Sequence, residues 1–170
     1  MTLRNKYKVA LTIGQAPPLK KYPIPLLGTR LYQWLEKIDV PKEKAMSLFD
    51  FDALADSYPG KSSKGHKVPS NKQIENHKSF LVKKIYNNNF QFILPIGKLA
   101  IHHVLGIKEV DLKNTIGKMF IKIPFNETCL NPIVIIPLPH PSSRSIWSFD
   151  ATNKRLLFKA LTLIKEQIVV

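Results

Sequence analysis

The segment 133–147, with the sequence IVIIPLPHPSSRSIW, holds a histidine between two prolines and then a run of polar residues. Its four β-branched residues in a row predict a strand buried on both faces of a sheet. Pro139 and Pro141 bracket His140, so the chain leaves this strand as a stiff loop. In open α/β sheets ligands bind beyond the carboxyl ends of the strands. The residues expected to face that crevice are His140, Ser142, Ser143 and Arg144. A surface histidine beside prolines that merely end a strand is the alternative.

A second loop, GQAPP at residues 14–18, follows the first predicted strand. Its prolines make it rigid, so backbone amides near Gly14 and Gln15 can be held toward a ligand. A longer segment that ends at Ser70 is rich in Ser, Gly, Pro and Lys, and it predicts a functional or mobile loop. Its lysines could grip phosphate oxygens, while a solvated loop is the alternative. These lysines are Lys61, Lys64 and Lys67.

Strand and helix patterns alternate along the chain and must position these loops. Strands are predicted at residues 9–13, 45–49, 90–96 and 133–136, and helices that begin near residues 29, 71, 98 and 152 follow them. The alternation predicts an α/β three-layer sandwich with a central, mainly parallel four-stranded sheet. Residues 118–123 predict a minor or edge strand.

Composition narrows the class of protein. The chain has 170 residues and 44% hydrophobic content, which predicts a single folded domain over residues 1–170. Its 26 Lys and Arg against 12 Asp and Glu give a net charge of +14, which indicates a polyanionic partner such as nucleic acid. An anionic membrane is the competing partner, but there is no apolar run near the roughly 18 to 20 residues that span a bilayer and no signal peptide. We therefore expect a cytoplasmic protein without a membrane partner.

The cysteine and histidine content argues against a bound metal. The single cysteine, Cys129, excludes an intrachain disulfide and any metal site built from several thiolates. His102 and His103 are neighbours on a predicted helix, where adjacent side chains point in different directions. No cofactor and no metal are expected.

The two strand-end loops, GQAPP at 14–18 and HPSSR at 140–144, resemble the two signature motifs of the uracil-DNA glycosylase superfamily. The resemblance extends over most of the chain, and LPIGKLAIHHVLG at 94–106 is similar to the segment these enzymes carry between the motifs. HPSSR is closest to the HPSPRN form of the single-strand-selective branch. GQAPP combines the glutamine of the GQDPY motif with an Ala-Pro pair like the GEAPG of the iron–sulfur branch, whose four cluster cysteines are absent.

The resemblance implies a DNA base-excision repair glycosylase, which flips a damaged base into the crevice and hydrolyses its bond to the sugar. His140 matches the neutral histidine that donates to the base O2 as negative charge grows there. Arg144 matches the residue that wedges into the helix, and Ser142 matches one that touches phosphate. The residues implied to bind the substrate are Gly14, Gln15, Ala16, Pro17, Leu26, Ser142, Ser143 and Arg144. Leu26 stands where an aromatic usually stacks on the base, with Tyr22 as a substitute.

The group that activates water is missing from its usual place. Ala16 stands where the main branch has an aspartate, and Gln15 stands where the iron–sulfur branch has a glutamate, so activity on uracil is expected to be weak. The carboxylates that could replace them follow the second predicted strand: Asp50, Asp52 and Asp56. Asp50 or Asp52 also lies near the asparagine that reads the base edge in the family. An ionised aspartate only accepts hydrogen bonds, which favours a base with an exocyclic donor.

Two other classes stay open. A catalytically weak or inactive nucleic-acid binder would share the fold, and an enzyme on a small nucleotide would use the same pocket without needing so large a charge. The expected partner is DNA, single-stranded or duplex with a damaged base, bound by a monomer.

Overall fold

The computed structural model describes residues 8–20, 24–26 and 29–169. Its strands are β1 (Ala10–Gly14), β2 (Phe49–Ala53), β3 (Lys61–Ser62), β4 (Gly65–His66), β5 (Phe92–Pro95), β6 (Phe120–Lys122) and β7 (Ile133–Ile135). Its helices are α1 (Leu31–Glu36), α2 (Lys42–Leu48), α3 (Asn71–Asn87), α4 (Lys98–Leu105), α5 (Leu112–Thr115) and α6 (Ala151–Val169). Two short 3-10 turns occur at Pro124–Asn126 and Trp147–Phe149.

The main sheet has the strand order β2-β1-β5-β7-β6. The first four strands are parallel, and β6 pairs antiparallel with β7 at one edge. The predicted three-layer α/β fold with a central, mainly parallel sheet is confirmed. Within the described residues the sheet has five strands rather than four, because the predicted edge segment pairs fully with β7.

The core explains why these segments pair. All four residues of β5 and the first four of β1 are buried, as expected for strands covered on both faces. The long helices add apolar stripes of helical spacing: Ile74, Leu81 and Ile85 on α3, and Leu157, Ala160, Leu161 and Ile164 on α6. Fully burying one such Leu or Ile side chain contributes about 1.5 to 3 kcal/mol. Caps fix where both helices begin, since Ser70 forms a capping box with Gln73 and Asp150 accepts from Asn153 N–H.

The second predicted strand, residues 45–49, is wrong. Helix α2 ends at Leu48, and the strand β2 begins only at Phe49. The pattern FDFDA alternates between apolar and charged residues, which suits a strand at the edge of the sheet. Asp50 and Asp52 therefore lie inside β2 and not in the loop that follows it.

The long polar segment before Ser70 is more ordered than predicted. Residues 61–66 form a two-stranded hairpin, β3 and β4, with Lys61 opposite His66. The Tyr58 hydroxyl lies 2.7 Å from Nδ1 of His66 and ties the base of the hairpin. Within the described ranges, no helix has both the length and the apolarity needed to cross a membrane.

Candidate active site

The parallel strands β1, β5 and β7 are neighbours, and their carboxyl ends lie side by side at one end of the sheet. Just beyond β5, the Ile96 N–H donates to the Ile13 carbonyl at 2.9 Å, and Ile96 also bridges to Leu138. The loops that start at Gly14 and at His140 therefore leave the sheet at the same end, on either side of β5. This is the end where parallel sheets bind ligands.

His140 lies beside Gly97, the residue that joins β5 to α4. A Cβ placed on Gly97 would lie 3.5 Å from Cδ2 of His140, so the imidazole lies close beside the glycine with little more than the space of a methyl group between them. Gly97 has φ +83°, a conformation that a residue with a side chain rarely adopts. The glycine thus lets the chain turn into α4 and leaves the space beside the imidazole free of a side chain.

The protonation of His140 is fixed by its own loop. The backbone N–H of Ser142 donates to Nδ1 of His140 at 3.2 Å. Because a backbone N–H can only donate, Nδ1 is an acceptor and the neutral ring carries its proton on Nε2. The residue is exposed overall, but part of its ring is covered, and this desolvation lowers the pKa of His140. His140 is therefore suited to be a neutral donor near neutral pH.

Ser142 shapes the turn that follows the histidine. Its carbonyl accepts from Ser145 N–H at 3.1 Å, and its Oγ accepts from Arg144 N–H at 3.2 Å. These bonds close a tight turn with Ser143 and Arg144 at its exposed tip. Arg144 is thus presented to solvent at the end of a braced loop, as a wedging residue requires. The Ser142 hydroxyl proton stays available to donate to an anion.

Arg30 joins the start of α1 to the histidine loop and was not predicted. Its backbone N–H donates to the Pro141 carbonyl at 2.9 Å, and its guanidinium donates to the Ser143 carbonyl at 3.0 Å. It also donates to Ser148 Oγ at 3.2 Å. The start of α1 is therefore attached to the histidine loop. One signal was present in the sequence: a cation just before a helix is unfavourable for the helix dipole and needs another reason to be there.

The first loop is partly buried at the same end of the sheet. Gly14 through Pro17 are half-buried, and the Gly14 carbonyl accepts from Leu54 N–H at 3.0 Å. Leu26 is half-buried with φ +57°, and its carbonyl accepts from both the N–H and the hydroxyl of Thr29. This turn places Leu26 against the core near the start of α1. Tyr22, the substitute stacking residue, lies outside the described residues.

Comparison with known families decides what this arrangement belongs to. The family model described as the Uracil DNA glycosylase superfamily matches residues 9–162. The chain belongs to this superfamily. The match covers both loops, the Gly97 turn and Arg30, and it supports a DNA glycosylase type of function in general. A search of the curated proteins finds no match.

Asp50 and Asp52 do not have the position predicted for a glycosylase carboxylate. Both side chains reach α3, where Lys84 Nζ lies 3.1 Å from Asp50 and 2.8 Å from Asp52. His77 also contacts Asp52 at 3.3 Å. Burial on its own would raise the pKa of Asp52, but the hydrogen bond from Lys84 and the other bonds together lower it. The carboxylates are committed to this ion pair because β2 is an edge strand packed beside α3. Asp56 is the carboxylate that does follow β2, and it is exposed.

Two of the three lysines lie on the hairpin that the chain makes after leaving the carboxyl end of β2, and Lys67 follows it directly. Lys61, Lys64 and Lys67 are exposed, and none has an ion pair with a described acidic residue. They are therefore free to meet an external anion. In the part of the chain that the structure describes, no group of three or more His, Cys, Asp or Glu side chains could hold a metal ion.

Proposed function

We propose that the protein is a DNA base-excision repair glycosylase, which takes a damaged or deaminated base into the crevice and hydrolyses its N-glycosidic bond. One observation carries this proposal. His140 lies beside Gly97 and accepts from the Ser142 N–H, which leaves its proton on Nε2, at the end of the sheet that also bears Gly14 and Gln15. Among the chemistries of this superfamily, that arrangement suits stabilisation of a departing base.

The reaction asks for a donor to growing negative charge. As the bond between base and sugar breaks, its electron pair moves onto the base, and the Nε2–H of His140 donates to the base O2. A water oxygen then bonds to C1′ of the sugar, and its proton leaves to solvent. Gln15 positions that water, and because an amide is a far weaker base than a carboxylate the reaction is slow. Ala16 and Pro17 hold the base edge through the backbone.

The DNA is bound by residues around this crevice. Arg144 wedges into the duplex where the base was, while Ser142 and Ser143 contact phosphate. The lysines in and directly after the hairpin, Lys61, Lys64 and Lys67, grip the DNA backbone, and the net charge of +14 supports a polyanionic partner. We propose that a monomer, folded as one domain over residues 1–170, acts in this way.

A nucleic-acid binder with little or no catalysis is the second candidate. It is favoured by one observation, namely that the crevice lacks a carboxylate at Ala16 while Asp50 and Asp52 are held by Lys84. A general base within reach of the attacking water contributes about 10² to 10⁴ in rate, so its loss can leave binding without measurable turnover.

The experiment is a screen of oligonucleotides for abasic-site formation. The oligonucleotides contain uracil, hypoxanthine, xanthine, oxidised pyrimidines or only normal bases, and the variant Ala16→Asp is tested beside the unaltered protein. Release of a modified base, with normal bases retained, supports the glycosylase. Salt-dependent DNA binding without release, even by Ala16→Asp, supports the binder. Hydrolysis of free nucleotides with a log–log salt slope near zero would contradict both.

A further inference from the structure

A groove of about 380 Å³ lies beside the turn that follows the histidine loop. It is lined by α1, by the 3-10 turn Trp147–Phe149 and by α6. The side chains that matter for its chemistry are Arg30, Trp34, Lys37, Phe149, Lys154 and Phe158. We call it the Phe158 groove. Its volume lies at the lower end of the range for ligand pockets.

Every charged residue of the Phe158 groove is a cation. Arg30, Lys37 and Lys154 line it, and no acidic side chain does. None of the three has an ion pair with an acidic residue of the described ranges, whereas Lys84, Lys78 and Lys165 elsewhere in the protein do. Unpaired cations around a concave surface favour an anionic ligand. The charge of the groove therefore points to an anion.

The groove also has aromatic side chains open to solvent. Phe149 is 57% exposed and Phe158 is 59% exposed, while Trp34 lies buried beneath them. The Arg30 guanidinium lies 4.8 Å from the centroid of the Phe149 ring. Large apolar side chains usually avoid water, so two exposed phenylalanines in one groove indicate a contact surface. Aromatic faces interleaved with cations are what single-stranded nucleic acid needs, because bases stack on the rings and phosphates meet the cations.

The groove adjoins the candidate active site, and this position indicates which nucleic-acid strand would bind there. Arg30 contacts the Ser143 carbonyl in the histidine loop and Ser148 in the 3-10 turn, so one residue borders both sites. A strand whose base enters the crevice at His140 can therefore continue along the loop into the groove.

We propose that the Phe158 groove binds unpaired nucleotides of the DNA strand that flanks the excised base. This inference rests on the proposed function for the identity of the strand. The groove stacks flanking bases on Phe149 and Phe158, and Lys37 and Lys154 neutralise their phosphates. It makes the protein prefer substrates whose flanking sequence is single-stranded.

The test measures how affinity depends on the length of the DNA. Fluorescence anisotropy gives the Kd of fluorescein-labelled oligo-dT of about 4 and about 16 nucleotides, the range of site sizes for single-strand binding folds. Phe149→Ala and Phe158→Ala are each expected to weaken binding of the longer DNA by about 5- to 150-fold, as for loss of one stacking aromatic, and that of the shorter DNA much less. Phe80→Ala is the matched control, since Phe80 is 53% exposed on α3 and lies outside the groove. Both groove phenylalanines are exposed, so these variants are expected to fold.

Two charge-reversal variants separate the contribution of the groove to DNA affinity from the general effect of net charge. Lys154→Glu and Lys113→Glu each lower the net charge by two, and both lysines are exposed, but only Lys154 lines the groove. The proposal expects Lys154→Glu to weaken binding of the longer DNA more. Equal effects of the two charge variants, together with equal effects of Phe158→Ala and Phe80→Ala, would overturn it. A change in self-association on sedimentation without a change in DNA affinity would overturn it too, because the groove would then be a contact between copies. A loss of affinity that is larger for the longer DNA supports the groove whether or not a base is excised. Failure of the glycosylase proposal can therefore be distinguished from failure of the groove proposal.

Discussion

The backbone N–H of Ser142 donates to Nδ1 of His140 at 3.2 Å, so the loop that carries the histidine also selects its tautomer. Pro139 and Pro141 on either side restrict the backbone, and Ser142 is the first residue after them that has an N–H to give. The short spacing HPS therefore presents the histidine and leaves Nε2–H as the donor.

The ionisation of His140 is the first prediction. Desolvation lowers its pKa from the ordinary value of 6.5, so the ring should stay neutral at pH 6.5 and become protonated only below it. Since the unfolded state takes up the proton first, this group destabilises the fold as the pH falls below 6.5. An NMR titration, with the signal assigned by comparison with His140→Gln, should give a pKa below 6.5 and nitrogen shifts of the Nε2–H form. A pKa of 6.5 or more, or an Nδ1–H ring, would contradict this.

Gly97→Ala should damage the site more than the fold. A side chain at φ +83° costs about 1 to 3 kcal/mol of stability, and the backbone shift that relieves this strain would move the segment beside His140, although the new Cβ itself would lie at an ordinary contact distance of 3.5 Å from the ring. Gly65→Ala is the matched control, because Gly65 has φ +118° but nothing within 4 Å of a Cβ. Chemical denaturation should show a loss for both variants, and base excision at saturating DNA should fall only for Gly97→Ala. Equal turnover in the two variants would mean that the backbone at Gly97 does not position His140.

The parts of the fold that the sequence predicts are those where a short run of neighbouring residues decides the structure. Four apolar β-branched residues at 133–136 predict a buried strand, and β7 is an interior strand of the sheet, although Ile133 and Val134 at its start are only half-buried. By contrast, residues 45–53 hold a helix end and a strand start with no proline or glycine between them. The boundary at Phe49 is set by pairing with Ala10 of β1, which is a contact distant in sequence.

Lys84→Met should destabilise the protein without touching the candidate active site. It removes the partner of Asp52 and Asp50, and hydrogen bonds to charged groups contribute about 1.5 to 3 kcal/mol. Lys83→Met, the exposed neighbour, should change the free energy of unfolding by no more than about 0.5 kcal/mol.

The loss of unfolding free energy in Lys84→Met should depend on pH in a definite direction. Because the pKa of Asp52 is lowered in the fold, its contribution is complete above 3.8 and is lost as the pH falls through the lowered pKa. The pKa of Lys84 is raised by Asp52 despite its burial, so the contribution is also lost at a pH above 10.5. The difference between Lys84→Met and the unaltered protein should be constant between these limits. Equal denaturation midpoints for the two lysine variants would show that the ion pair is not stabilising.

The site residue that the sequence could not reveal makes its contacts with residues far away in the chain. Arg30 meets Ser143 and Ser148 more than a hundred residues away, and nothing in a local pattern records such a pair. Asp50 and Asp52, by contrast, were assigned to the site from the sequence although their side chains bind elsewhere. Their place in the chain suggests a catalytic loop, but the alternation of β2 turns them toward Lys84.

Arg144→Ala should distinguish duplex from single-stranded substrates. Arg144 stands at the exposed tip of the Ser142–Ser145 turn, and only a duplex has a base stack that a wedge must hold open. Single-turnover excision should therefore fall more on duplex than on single-stranded DNA of the same sequence. Similar losses on both substrates would exclude the wedge role.

The central claim is that His140 stabilises the leaving base, and single-turnover excision by His140→Ala tests it most directly. The substrate is the oligonucleotide from which the unaltered protein releases a modified base most rapidly, and DNA affinity is measured on the same variant. Loss of one donor to developing charge predicts a rate lower by about 10² to 10³, with affinity largely retained. An unchanged rate, or a loss of affinity as large as the loss of rate, would contradict the claim.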